Sequence, residues 1–130
     1  MTPRRLLSVV AGISLGYDLA IGILLLAATD SVAAWFGTPV PSPIIFVKLN
    51  ALFLIAVGLG YWAPMRDPGA HRPYLWIFGP VLKGAGAMAF LVDRFANGSP
   101  PAFLIFAATD GTLAVATLVA LLRRDSAAAR

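Results

Sequence analysis

Four ionisable side chains interrupt otherwise apolar stretches of this sequence: Asp18, Lys48, Lys83 and Asp110. Carboxylates and ammonium groups in such surroundings can hold a polar group against a counter-ion, pass a proton, or lock helices together. A charge at the centre of a membrane helix costs roughly 2.5–3.5 kcal/mol on insertion scales, so these residues must pair or face an interior. Tyr17 is next to Asp18, Ser14 lies one helical turn before it, Asn50 follows Lys48 by two residues, and Thr109 precedes Asp110. The candidate binding residues of a polar centre are therefore Asp18, Lys83, Asp110, Asn50, Tyr17 and Lys48. Their roles divide between a binding or transfer site and an ion network that fixes helix register. For Lys48, snorkelling to the headgroups is a third role. No catalytic set is recognisable: the chain has no Ser/His/Asp arrangement, no His-Glu-x-x-His, no Gly-rich phosphate loop and no glutamate.

The elements that must position these groups follow from the distribution of apolar residues. Of 130 residues, 59% are hydrophobic and 12% charged, against about a quarter charged in a soluble domain. Four apolar runs stand out, roughly Leu6 to Ala28, Pro43 to Ala63, Pro73 to Val92 and Pro101 to Leu122. Each is close to the ~20 residues that span a hydrocarbon core. They are apolar all round, whereas helices of a soluble bundle would keep a polar face. The expectation is an all-α, integral membrane, antiparallel four-helix bundle, with residues 1–130 forming a single transmembrane domain.

Depth follows from a rise of ~1.5 Å per residue: Asp18 lies ~18 Å along its helix, Lys83 ~15 Å and Asp110 ~14 Å, all near the midplane, while Lys48 lies ~8 Å from the external end. At ~100° per residue, Asn50 is about 200° around its helix from Lys48, so the two cannot face the same way. Pro80, three residues before Lys83, removes an amide donor and is expected to bend the third helix and free a carbonyl there.

Charge sets the orientation. Arg4, Arg5, Arg66, Arg72, Arg123, Arg124 and Arg130 flank or follow helix ends on one side and Arg94 alone marks the other, which gives N-in/C-in by the positive-inside rule. The net charge of +4 is thus spent on topology, and no nucleic-acid partner is expected. Arg4 and Arg5 before an apolar run that leads to Ser31-Val32-Ala33 resemble a secretory leader, but the run is too long and Asp18 interrupts it.

The connections read as follows. Asp30 to Gly37 forms a short external interfacial helix, with Asp30 as its N-cap, Gly37 as its terminator, and Trp35 and Phe36 in the headgroup layer. Ser42-Pro43 and Ser99-Pro100 are N-cap and first-turn signals. Tyr61, Trp62, Tyr74 and Trp76 are interface anchors around the loop from Pro64 to Arg72. Asn97-Gly98-Ser99 is a tight turn rather than a glycosylated acceptor. Gly12 and Gly16 form a G-x-x-x-G spacing that serves close packing within the chain or a homodimer. The absence of cysteine excludes thiol chemistry and Cys-ligated metals, and the lone histidine, His71, excludes bis-histidine haem. No cofactor or metal is expected.

The run Lys48-Leu49-Asn50-Ala51 through Gly58-Leu59-Gly60-Tyr61-Trp62, the loop Met65-Arg66-Asp67-Pro68 to His71-Arg72-Pro73, and then Gly79 to Lys83 and Asp110 resemble small bacterial four-helix membrane proteins of the DoxX-like kind. The resemblance implies a bacterial inner-membrane, multi-pass, antiparallel bundle. Better-known members are linked to sulfur-compound oxidation and membrane redox partners, but without cysteine no thiol role and no active-site residue carries over.

The expected function is binding of an apolar small molecule, such as a lipid or quinone, or an accessory role in a larger membrane complex. The alternatives are a small transporter or proton-linked carrier acting as an oligomer, and an enzyme on a membrane-dissolved substrate.

Overall fold

The structure, a computed structural model, describes the backbone of residues 1–128 and the side chains of residues 1–123. Arg124 and Arg130, counted above in the charge asymmetry, lie outside the described side chains. The elements are α1 (Pro3–Ala27), α2 (Thr29–Trp35), α3 (Ile45–Gly60), α4 (Trp62–Arg66), α5 (Arg72–Trp76), a π-helical segment (Ile77–Lys83), α6 (Gly84–Asn97), a 3-10 turn (Pro101–Phe103) and α7 (Leu104–Ala128). They combine into four helices long and apolar enough to cross a membrane: Pro3–Ala27, Ile45–Arg66, Arg72–Asn97 and Pro101–Arg123.

Local chemistry explains where these helices begin and end. α1 starts earlier than its apolar run because Thr2 Oγ1 accepts from Arg5 N at 3.3 Å and Pro3 occupies the first turn, where its missing N–H costs nothing. The expected serine caps are not used. α3 starts at Ile45 without a side-chain cap, because backbone turns supply its acceptors: Phe46 N donates to Pro43 O at 3.3 Å and Lys48 N to Ile44 O at 3.2 Å. The Ser42–Pro43 peptide is cis. The Ser99 hydroxyl donates to the Asp93 carboxylate and its carbonyl accepts from Arg94 Nη1, so α7 is entered through the 3-10 turn instead.

α2 begins at Thr29, immediately after Ala28 breaks α1. Asp30 is therefore in its first turn and is not its N-cap. Gly37 does terminate it: with φ +67, its N–H reaches Ala34 O at 3.1 Å, while Thr38 N reaches Ala33 O at 3.0 Å. That pair of bonds is a Schellman closure, which needs a left-handed residue at this point. Gly98, with φ +70, ends α6, and Asn97 there donates to Asp93 at 2.6 Å.

The loop between α4 and α5 is tied by Asp67, whose Oδ1 accepts from Gly69 N at 3.0 Å and Ala70 N at 3.4 Å. These amides, aided by Arg4 at 3.5 Å, hold the carboxyl below its ordinary range. The Arg4 contact also brings the start of α1 to the α4–α5 loop. We call this the termini end.

α1 packs along α3, α4 and α7, and α7 packs along α6 and the π segment. The α1–α3 crossing is close at Gly22 and Gly58: a Cβ at Gly22 would sit 2.7 Å from Ile55 Cγ1, and one at Gly58 would sit 3.1 Å from Leu19 N. Of the G-x-x-x-G pair, Gly12 packs closely within the chain, where an added Cβ would sit 3.2 Å from Met65 Sδ, and Gly16 has open space beside it. At the termini end Leu7, Ala11, Val57, Tyr61, Leu75, Ala120 and Leu121 form a closed apolar core. α3 and α6 make no extended contact, and the bundle is open between them in its other half.

Candidate functional site

Lys83 closes the π segment and is 5% exposed. Its Nζ lies 2.7 Å from Asp18 Oδ1 and 3.5 Å from Asp110 Oδ1. Three helices thus meet at one ion group, which carries two carboxylates and one ammonium. The ammonium also stands over the Tyr17 ring at 5.1 Å and the Tyr61 ring at 5.9 Å, so π-faces complete its surroundings. Asp110 is the more accessible carboxylate, 18% exposed against 2% for Asp18. Asp18 Oδ2 and Ser14 Oγ are buried without a hydrogen-bond partner among the described residues.

Pro80 explains how Lys83 reaches this point. Proline in an α-helix deletes a donor and crowds the carbonyl four residues back. The chain answers with a π segment over Ile77–Lys83, whose wider turn relieves that crowding and re-aims the residues after it. Phe78 O, within this segment, accepts the Tyr61 hydroxyl at 2.7 Å. Val57 O accepts the Tyr74 hydroxyl at 2.5 Å. Tyr61, expected as an interface anchor, is 1% exposed. Tyr61 and Tyr74 therefore pin α3 to the third span from inside, because an aromatic near a basic loop can turn either way. Trp62 does face outward, with Arg66 over its ring at 4.7 Å.

The ion group forms the floor of a cavity of about 400 Å³ between all four spans. Below it, the apolar core and the two tyrosines close the termini end. Above it, Phe36, Phe90, Phe103 and Phe106 make a roof of stacked rings, with Phe36 5.1 Å from both Phe103 and Phe106, and Phe90 5.2 Å from Phe106. Phe36, expected in the headgroup layer, is turned inward by α2, while Trp35 remains exposed. Asn50 and Phe53 line the α3 wall, and both are exposed, which marks the gap between α3 and α6 as the way in.

The candidate residues therefore separate. Asp18, Lys83 and Asp110 meet, and Tyr17 and Asn50 line the same cavity. Tyr17 OH donates at 2.7 Å to Thr109 Oγ1, whose own proton goes to Ile105 O at 2.8 Å. Lys48 is held elsewhere. Its Nζ donates to Leu26 O at 2.5 Å and Thr29 Oγ1 at 2.7 Å, completing the last turn of α1, where a cation also suits the helix dipole. The phenylalanine roof was missed from sequence. The signal available was that Phe90, Phe103 and Phe106 share a level near the ends of adjacent spans.

No protein-family model matches this chain, and no curated protein and no solved structure is significantly similar to it. Among the described residues no group of three or more His, Cys, Asp or Glu converges as a metal site would. The arrangement can bind: it offers hydrogen-bond acceptors and charge at the floor, aromatic faces at the roof, and an apolar route between them.

Proposed function

We propose that this protein is a multi-pass protein of a bacterial inner membrane, N-in/C-in, with the short helix α2 on the external side, and that it binds a membrane-dissolved amphipathic small molecule of the lipid or quinone type. The observation that carries this reading is the cavity of about 400 Å³ with an ionic floor and an aromatic roof. Small-molecule sites are concave, mostly apolar and furnished with a few placed polar groups, at volumes of ~300–1,000 Å³. The gap between α3 and α6 supports entry from the lipid side. The closed core at the termini end weighs against a continuous path through the bundle, and so against a simple channel.

Native mass spectrometry of the protein in gently extracted membrane tests the reading. A bound small molecule is expected on the wild-type chain and not on Gly86→Trp. A Cβ at Gly86 meets Asp110 Oδ2 at 3.7 Å, an ordinary contact, so the backbone accepts the change while the indole fills the cavity. The reading is wrong if both chains carry the same adducts or none.

A further inference from the structure

The ion group is short of positive charge. Among the described residues Lys83 is the single cation lining the cavity, and it faces the carboxylates of both Asp18 and Asp110. Its short contact, 2.7 Å, goes to Asp18, and Asp110 is left at 3.5 Å with its other oxygen toward Gly86 and the cavity. Lys48, the nearest alternative cation along α3, is committed to the end of α1. Arg94 is committed to Ser99 O at 3.1 Å. A carboxylate in apolar surroundings without its counter-ion is costly, so this one calls for a positive partner. Asp18 draws on the same ammonium and is itself incompletely satisfied: its fully buried Oδ2 has no hydrogen-bond partner among the described residues, so Lys83 has no charge to spare for Asp110.

Above the carboxylates, four phenylalanine rings close the cavity. Their faces carry negative quadrupole charge and attract cations, and they stack readily with another ring. Carboxylates below and aromatic faces above both favour the same occupant, while an anionic headgroup would meet a net negative floor.

Building on the binding function above, we propose that the cavity selects amphipathic monocations, with an ammonium-type head at Asp110 and an aromatic or alkyl body beneath the phenylalanine roof. The head takes the side of Asp110 away from Lys83, beside Gly86, where the cavity leaves room.

The test compares benzyltrimethylammonium with neopentylbenzene, which has the same shape with carbon in place of the charged nitrogen. The full chain is placed in phosphatidylcholine nanodiscs, with empty discs as the reference for partitioning. The thermal unfolding midpoint and native mass spectrometry report binding. Benzyltrimethylammonium should raise the midpoint with concentration and appear as a one-to-one adduct, and neopentylbenzene should do neither. Asp110→Asn should weaken the cation by about tenfold or more, and Asp110→Glu should retain it. Should Asp110→Asn fail to fold, Gly86→Trp, which keeps every charge, must abolish the cation's effect. Equal binding of the neutral compound overturns the charge selection and leaves the binding function standing. Binding of neither compound means that a proton alone balances the second carboxylate. If the small-molecule adduct of the wild-type chain is absent as well, the binding function falls with it.

Discussion

Lys83 and Asp18, 65 positions apart in sequence, are joined at 2.7 Å inside the bundle. This bond is the tighter half of the ion group, so the two carboxylates are not equivalent partners of the lysine. Removing one member of a buried pair costs about 3–5 kcal/mol because its partner is left charged and alone. Lys83→Met should lower stability by that order. Lys83→Met with Asp18→Leu should recover part of the loss, and should recover more than Lys83→Met with Asp110→Leu. Double-mutant cycles in a mild detergent, followed by thermal unfolding, measure both couplings. Additive effects at both carboxylates would mean that the three side chains do not act together.

Pro80→Ala restores an amide donor where the helix now runs as a π segment. The expected outcome is an α-helix through this stretch, with Lys83 carried around the axis and away from Asp18. The Lys83–Asp18 coupling should then shrink toward zero. An unchanged coupling in the Pro80→Ala background would show that the proline does not set the lysine's direction.

The sequence made levels legible and directions much less so. Rise per residue alone put Asp18, Lys83 and Asp110 at one depth, and in the structure the three meet. Azimuth depends on which neighbours a helix acquires, and sequence carries little of that. Hence Lys48 and Asn50 were rightly set on different faces, and Asn50 lines the cavity of the centre it was assigned to, while the use of Lys48 to cap α1 was not visible. Tyr61 is buried where an interface anchor would be exposed, for a related reason. Its hydroxyl is satisfied by the carbonyl of Phe78, which becomes a partner only when α3 and the third span meet. Helix ends shifted where a serine expected as a cap had a stronger partner, as Ser99 has in Asp93.

Tyr61→Phe deletes the hydroxyl that reaches Phe78 O and keeps the ring. A net loss of about 0.5–1.5 kcal/mol is expected, typical of one hydrogen bond. Tyr74→Phe should cost a similar amount. Thermal unfolding of each variant checks this, and a neutral result at both would remove them as braces between α3 and the third span.

Topology can be read with single cysteines, since the chain has none of its own. Ser31, Ala96 and Ala70 are exposed sites. They are better probes than Ala33, which is buried, or Gly98, which has positive φ. Ser31→Cys and Ala96→Cys should react with an impermeant thiol reagent in intact cells, and Ala70→Cys should react only after lysis. The opposite pattern would invert the N-in/C-in assignment.

Asp67 gives the termini end a pH signature. Its carboxyl is held below the ordinary range chiefly by the amides of Ala70 and Gly69. A depressed carboxyl stabilises the folded loop above the unfolded-state value, ~3.9 for Asp, and that support is lost as pH falls through the lower folded-state value. Protection of the Gly69 and Ala70 amides, taken as their exchange rate relative to the intrinsic rate at each pH, should therefore persist at mildly acidic pH and fall only below the usual aspartate range. Asp67→Asn should flatten the pH profile.

The capping of α1 by Lys48 has a consequence for biosynthesis. The carbonyl of Leu26 receives its donor from a residue 22 positions downstream. Until α3 is in place the Leu26 carbonyl lacks that donor, and an unpaired backbone carbonyl is costly wherever water cannot reach it. Completion of α1 must then wait for the beginning of α3 to emerge. The first two spans are therefore coupled through this one bond: the end of α1 gains its side-chain donor only when the start of α3 is in place.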